Sequence, residues 1–338
     1  MSRLALAKAV AAALAFVASV AFIVLAPGWE RVGEIKGAHM GVYFIAIVGI
    51  NVVTGYTGQI SLAQGAFMAI GGYTTAVLVT DHGLRDLWTI PIAALVAGVF
   101  GFLLGIPALR LSGLYLALVT FGLAVAMPDL LAWDKLSSLT KGGKPIQLFG
   151  SPHLIGHGFE DVTVFGHSMS FNRAVYYLTW SLALVLFVLA WLLLRGAPGR
   201  AFRAVRDSEI AAASSGVNIA AYKTLSFAIG AAYAGVAGSL LVIGVAFADP
   251  QSFPAKLSLT ILVGAVIAGL GSLWGVLLGA AFVEFLPEAS VHISKAQGVP
   301  DTVYGIALIL IVLLLPTGVA GALKHAVNPL TTRLYTRS

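Results

Sequence analysis

The sequence contains no cysteine. Disulfide staples, thiolate nucleophiles and cysteine-ligated metals are therefore excluded. Charge is nearly as scarce, since only 10% of the 338 residues are Asp, Glu, Lys or Arg. Soluble domains carry about 25%, and a folded soluble protein of this size could not cover its surface with so few. A soluble enzyme, a nucleic-acid binder and a disordered scaffold all fit poorly. What is present is apolar: 59% of the residues are hydrophobic, and the mean hydropathy is +0.95. That composition belongs to an integral membrane protein, and the length allows roughly ten spans of about 20 residues. The 38 glycines suit close helix packing in lipid.

Apolar runs alternate with charged breaks along the chain. They predict an all-α polytopic membrane helix bundle with spans at 4–26, 38–54, 58–80, 89–107, 112–132, 174–194, 223–247, 256–270, 273–290 and 302–316. Eight spans plus two re-entrant pieces fit nearly as well. The runs 38–54 and 256–270 are short for a hydrocarbon core of about 30 Å and read as tilted, broken or re-entrant. The first run has a signal-peptide look, but Pro27-Gly28-Trp29 is a poor cleavage site, so it reads as a retained span.

Lysine and arginine set the orientation. Arg195, Arg200, Arg203, Arg206 and Lys223 cluster in one break, and Lys324, Arg333 and Arg337 lie in the tail 317–338. Both regions read as cytoplasmic. An even number of spans separates them, so the assignments agree, and both termini fall on the cytoplasmic side. The loop 133–173 then falls outside. The chain reads as one transmembrane domain over 1–338, with a cytoplasmic loop at 195–222.

Two stretches stand out. Gly199 to Asn218 is rich in alanine and reads as a short capped helix outside the membrane, ending at Gly216. It is either a basic helix resting on anionic lipid or a docking helix for a cytoplasmic partner, with small Ala211 and Ala212 suited to a groove. The second stretch begins at Asn51. Gly55 and Gly58 break an apolar run at a tight turn, surrounded by uncharged Asn51, Gln59, Ser61 and Gln64. Such groups either glue helices together or line a path for a polar solute. Candidate path residues are those four with Phe67, Tyr73 and Thr120. A similar break, with Gly269, Gly271 and Gly275, lies late in the chain, and both breaks are candidate bends.

Catalytic chemistry finds little support. Glu284 is the only acid well inside a predicted span. It is a functional candidate by position, or a hydrogen-bonded helix contact, and one glutamate does not make a proton relay. His153, His157 and His167 fall in a glycine-rich outer loop and read as solvated rather than metal-bound. Gly142-Gly143-Lys144 lacks the upstream glycine of a phosphate-binding loop, so ATP is not bound by that route. No metal site and no catalytic residues are predicted.

At these stretches the sequence resembles the LivM-type permeases of bacterial ATP-binding-cassette importers for branched-chain amino acids. Five collinear segments between about Gly41 and Pro316 carry the likeness: Asn51–Tyr73, Pro107–Thr120, Gly199–Gly238, Asp249–Phe253 and Gly269–Gly275. The resemblance implies an inner-membrane transport subunit that performs no chemistry itself. It implies a second, LivH-type permease subunit, two cytoplasmic ATPase subunits that bind the ATP, and a periplasmic binding protein that delivers Leu, Ile or Val. Other amino acids, amides or urea are alternative cargoes. On this likeness 199–218 is a coupling helix, whose residues toward the ATPase would be Gly199, Arg200, Arg203, Arg206, Asp207, Glu209, Ala211, Ala212, Gly216 and Lys223. The sequence departs from the general importer pattern here. Counting back from Gly216, the glutamate position holds Ile210, with Glu209 beside it, and Ala213 stands where the family often has a further glutamate. The outer loop also departs, with Lys141 inserted into a Thr-Gly-Gly stretch. A secondary transporter and an intramembrane enzyme remain as alternatives, disfavoured by the missing ionisable relay and the missing catalytic constellation.

Overall fold

The computed structural model describes residues 31–84, 86–148 and 170–293, with 163–164, 167–168 and positions 302, 305, 306 and 309. The predicted first span 4–26, His153, His157 and the tail 317–338 lie outside the described residues. The described chain is helical nearly throughout. Its long helices are α1 (Arg31–Ile50), α2 (Gln64–His82), α3 (Asp86–Ala108), α4 (Gly113–Ala132) and α5 (Phe171–Arg195). Two short helices follow, α6 (Ala197–Asp207) and α7 (Glu209–Ser214). Then come α8 (Ile219–Val245), α9 (Ala255–Ala268) and α10 (Val276–Ile293).

Six helical segments among the described residues are long and apolar enough to cross a membrane: Gly33–Tyr56, Leu87–Ala108, Gly113–Ala132, Phe171–Arg195, Ile219–Val245 and Pro250–Ala268. The first corrects the reading of 38–54 as a short span. Those residues are the middle of a 24-residue segment, in which α1 runs without a break into a π-helical turn, Asn51–Tyr56. The sequence hid its start because Glu34 and Lys36 look like loop residues. Glu34 is in fact buried, and its carboxylate accepts from Arg173 Nε at 2.9 Å and from the Ser170 hydroxyl at 3.2 Å. Within the segment Pro250–Ala268, the helix α9 itself has only 14 residues, a rise of about 21 Å, and crossing length is reached by including the short turn Pro250–Ser252 ahead of it.

α2 is not among the six, although it has 19 residues. It carries Gln64, Gly71, Gly72, Thr74 and Thr75, which would be poor lipid-facing residues. Protein surrounds it instead, with Gln64 through Ala69, Gly71 through Tyr73, Thr75 and Ala76 all buried. A helix enclosed by other helices needs no lipid-compatible face.

The centre of the bundle is α8, packed against α1, α2 and α3. Small residues bring the backbones together. A side chain at Gly71 would overlap the backbone of Gly235, and one at Gly238 would overlap Met68. Polar groups buried at this centre are paired across helices. Gln64 Nε2 donates to the carbonyls of Ala46 and Gly230 at 3.1 and 3.2 Å, and Thr75 and Ser239 share a 2.6 Å hydroxyl contact.

The outward sides of α3, with Leu95, Val99, Phe100, Leu103 and Ile106, and of α5, with Val185, Leu189 and Leu192, are exposed and apolar. The helices alternate in direction and so gather their connections at two ends. One end holds the 51–63 turn, the 195–218 segment and the 269–275 turn. At the other, a two-residue ladder pairs Ile146–Gln147 with Phe247–Ala248, and Lys141 Nζ meets Asp81 at 2.6 Å. The Lys141 ammonium donates to Asp81 and holds its carboxyl below the usual carboxylate range.

Candidate coupling junction

The stretch 199–216 is two helices, which corrects the expectation of one. Ser208 makes the division. Its backbone is extended, and its hydroxyl accepts from Ala211 N–H at 3.3 Å as the N-cap of α7. Asp207-Ser208 was legible as a cap signal, but the surrounding alanines read as continuous helix. At the far end Gly216, at φ 82°, closes α7. Gly216 N–H donates to Ala213 and Val217 N–H to Ala212, which is the Schellman arrangement that a glycine at this position permits.

α6 is amphipathic and lies against the bundle. Gly199, Ala201, Phe202 and Val205 are buried, while Arg200, Arg203, Arg206 and Asp207 are exposed. The Phe202 ring meets Tyr222 edge-on at a centroid distance of 5.9 Å. Arg195, just before it, stacks on Trp191 at 3.8 Å. α7 rests on α8 through an ion pair, with Lys223 Nζ 2.7 Å from Glu209 Oε1. Two residues predicted to face an ATPase are thus occupied with each other. The side chain left projecting is Ile210, 83% exposed, flanked by exposed Ala211, Ala213 and Ser214. Ala212 is the one buried residue of α7.

The two glycine breaks, more than two hundred residues apart, meet at this junction. Asn51 is fully buried and clasps the late break with both ends of its amide. Its Nδ2 donates to Ser272 C=O at 2.7 Å, and its Oδ1 accepts from Gly271 N–H at 2.8 Å. A side chain at Gly55 would overlap both Asn51 Oδ1 and Gly271 N, so that residue type follows from the close approach. The π-helical turn ends at Tyr56, and the carbonyls of a last turn must be satisfied from outside the helix. Thr57 Oγ1 donates to Val52 and Val53 C=O at 3.0 and 2.7 Å. Arg206 of α6 reaches back and donates from Nη1 to Gly55 C=O. Its guanidinium also lies where a side chain on Gly271 would be, 2.6 Å from that Cβ position.

The remaining candidates sit inside the bundle. Asn51, Gln59, Ser61, Gln64, Phe67, Tyr73 and Thr120 are all buried. Gln59 Nε2 donates to Ser226 Oγ at 3.0 Å, and Thr120 Oγ1 accepts from Leu62 N–H at 2.9 Å. The Tyr73 hydroxyl is buried with no hydrogen-bond partner among the described residues. Gly58, Gly269 and Gly271 adopt positive φ at 73°, 95° and 80°, and Gly275 packs on Ala268 C=O. Glu284 lies 3.8 Å from His39 Nδ1, a contact between α10 and α1. Sequence reasoning missed Glu34, His39 and Ser258, whose hydroxyl accepts from Gly65 N–H at 2.9 Å. Among the described residues no cluster of three His, Asp or Glu side chains is placed to hold a metal ion.

Residues 38–315 match the family model described as the branched-chain amino acid transport system / permease component. The chain is 38% identical over 280 residues to the high-affinity branched-chain amino acid transport system permease protein LivM of Escherichia coli K12, covering 77% of this chain and 65% of that protein. It is 37% identical over 282 residues to the LivM protein of Salmonella typhimurium, covering 78% and 65%. The match thus spans a little under two thirds of the length of these relatives. It is also 27% identical over 299 residues to the LivH permease protein of E. coli K12, covering 85% and 94%. No solved structure matches. With 38–315 matched by the family model and most of its length aligned to LivM permeases, the chain belongs to the branched-chain amino acid transport permease family.

Proposed function

We propose that the chain is a membrane-spanning permease subunit of an ATP-binding-cassette importer that carries Leu, Ile or Val from periplasm to cytoplasm. Family membership supports the transport role. The observation that carries the mechanism is α6–α7. It is a short helical platform fastened to the bundle at Phe202, Arg206 and Glu209, and it offers an exposed Ile210 and small residues outward. In this reading two ATPase subunits bind that platform and hold the ATP, while the permease performs no chemistry. A LivH-type permease completes the pair, and a periplasmic protein delivers the substrate. The platform end faces the cytoplasm, as its arginines favour. About ten spans cross the inner membrane, with both termini inside. ATP-driven closure of the ATPases pushes the platform, and the bundle rocks about the breaks at Gly55–Gly58 and Gly269–Gly275 between outward- and inward-facing states. The seven buried polar and aromatic candidates, Asn51 to Thr120, would then lie beside the path.

The test is reconstitution with the partner permease, ATPases and binding protein in liposomes. Leucine accumulation that requires ATP is the expected result. Uptake by the chain without ATPases or ATP would refute it. Competition by other amino acids, amides or urea reads the cargo range.

A further inference from the structure

Both glycine breaks and the coupling platform converge on one side chain. Arg206 donates from Nη1 to Gly55 C=O, inside the π-helical turn. Gly55 is tied through Asn51 to Gly271 and Ser272, and the Arg206 guanidinium itself lies over Gly271. Its backbone and Cβ lie against Gly58, at 3.6 Å from the Gly58 Cβ position. All three arginines of α6 are exposed, but Arg200 and Arg203 have no such inward hydrogen bond among the described residues. One cation of α6 thus touches two elements far from it in sequence, the end of α1 and the turn between α9 and α10. Charge-assisted hydrogen bonds to a backbone carbonyl are stronger than neutral ones and directional. The Gly55 carbonyl lies in the last turn of its helix, where a carbonyl has no intrahelical partner to give up when it accepts one.

We propose that Arg206 is a positioning residue that transmits displacement of the α6–α7 platform into the two glycine breaks, and that it faces the bundle rather than the ATPase. This role rests on the ATPase-driven reading above. The platform, the π-turn and the 269–275 turn move as one body, with Arg206 as the pin and Asn51 as the clasp. Arg203 and Arg200, by contrast, are left for the partner or for lipid headgroups.

The absence of native cysteine makes the test direct. The reconstituted importer is assayed for leucine taken up and ATP hydrolysed together. Arg206→Ala should raise the ATP consumed per leucine roughly 10-fold or more. Arg206→Lys, which keeps the charge but loses the planar fork, should give a smaller rise. A Gly58→Cys/Arg206→Cys pair places the two Cβ atoms 3.6 Å apart, within the range a disulfide spans. If the elements move as one body, oxidation of this pair restores a low ratio and reduction raises it again within the same protein. The comparison is internal, so any strain at Gly58 cancels. The proposal is overturned if Arg206→Ala leaves the ratio unchanged, if the pair does not cross-link, or if oxidation blocks uptake. Wild-type coupling with unaffected variants refutes the pin alone. A wild-type complex without ATP-driven uptake refutes the reading beneath it, and the pin with it.

Discussion

Glu209→Ala should loosen α7 from the bundle. The pair it breaks is asymmetric, because the Lys223 side chain is 8% exposed and that of Glu209 51%. Fully buried pairs cost about 3–5 kcal/mol to break, since a charge is left without a partner. Exposed pairs are worth about 0.2–1 kcal/mol. Water reaches Glu209 and screens the pair, so about 1–2 kcal/mol is the reasonable figure here. α7 has only six residues and one buried side chain, Ala212, so little else resists the loss. The undocked population should rise roughly 5–30-fold. Hydrogen exchange of residues 208–217 in the detergent-purified complex reads this directly, and uptake reads its consequence. The cause can be isolated with a second change. Glu209→Ala/Lys223→Met removes both partners, leaves no orphaned ammonium, and should recover most of the protection. Unchanged exchange in Glu209→Ala, or a double variant worse than the single one, would refute the reasoning.

Three further outcomes follow from the packing. Ile210→Ser should leave thermal stability unchanged but weaken ATPase binding roughly 10–100-fold, because burying an isoleucine is worth about 1.5–3 kcal/mol; co-purification with the ATPase measures it. Gly71→Ala drives a methyl into the Gly235 backbone and should cost about 1–3 kcal/mol in detergent melts, whereas Gly122→Ala in α4, with nothing within 4 Å, should be neutral or slightly stabilising. At the opposite end, Asp81 titrates below its ordinary value because Lys141 donates to it, so its contribution is complete above the unfolded carboxylate range and fades as pH falls below about 4. Protease resistance of 133–148 should drop over that acid range in the wild type and show no such step in Lys141→Met.

Much of the fold was legible because lipid imposes a simple rule: apolar runs of sufficient length become helices. α3, α4, α5 and α8 begin and end close to the predicted runs for that reason. Where protein replaces lipid as the neighbour, the rule weakens. α2 is rich in Gly and Thr because α8 and α3 pack against it. The start of α1 was hidden because Glu34 is neutralised by Arg173 from a distant helix, a partnership no local pattern carries. The platform was readable as an external helix from its arginines and Gly216, yet its division at Ser208 was masked by alanines with high helix propensity. Both glycine breaks were visible singly. Their meeting through Asn51 was not, since 220 residues separate Asn51 from Gly271. The hydrogen bond from Arg206 to the Gly55 carbonyl was hidden for the same reason, since 151 residues separate donor and acceptor.

The central claim is that α6–α7 is the surface on which the ATPases act. Thiol cross-linking in the assembled importer tests it most directly, because each single cysteine introduced into this chain is the only one it has. Ile210→Cys should cross-link to an ATPase subunit, while Leu84→Cys, exposed at the opposite end, should not. Cross-linking of the ATPase at position 84 and none at 210 would contradict the account.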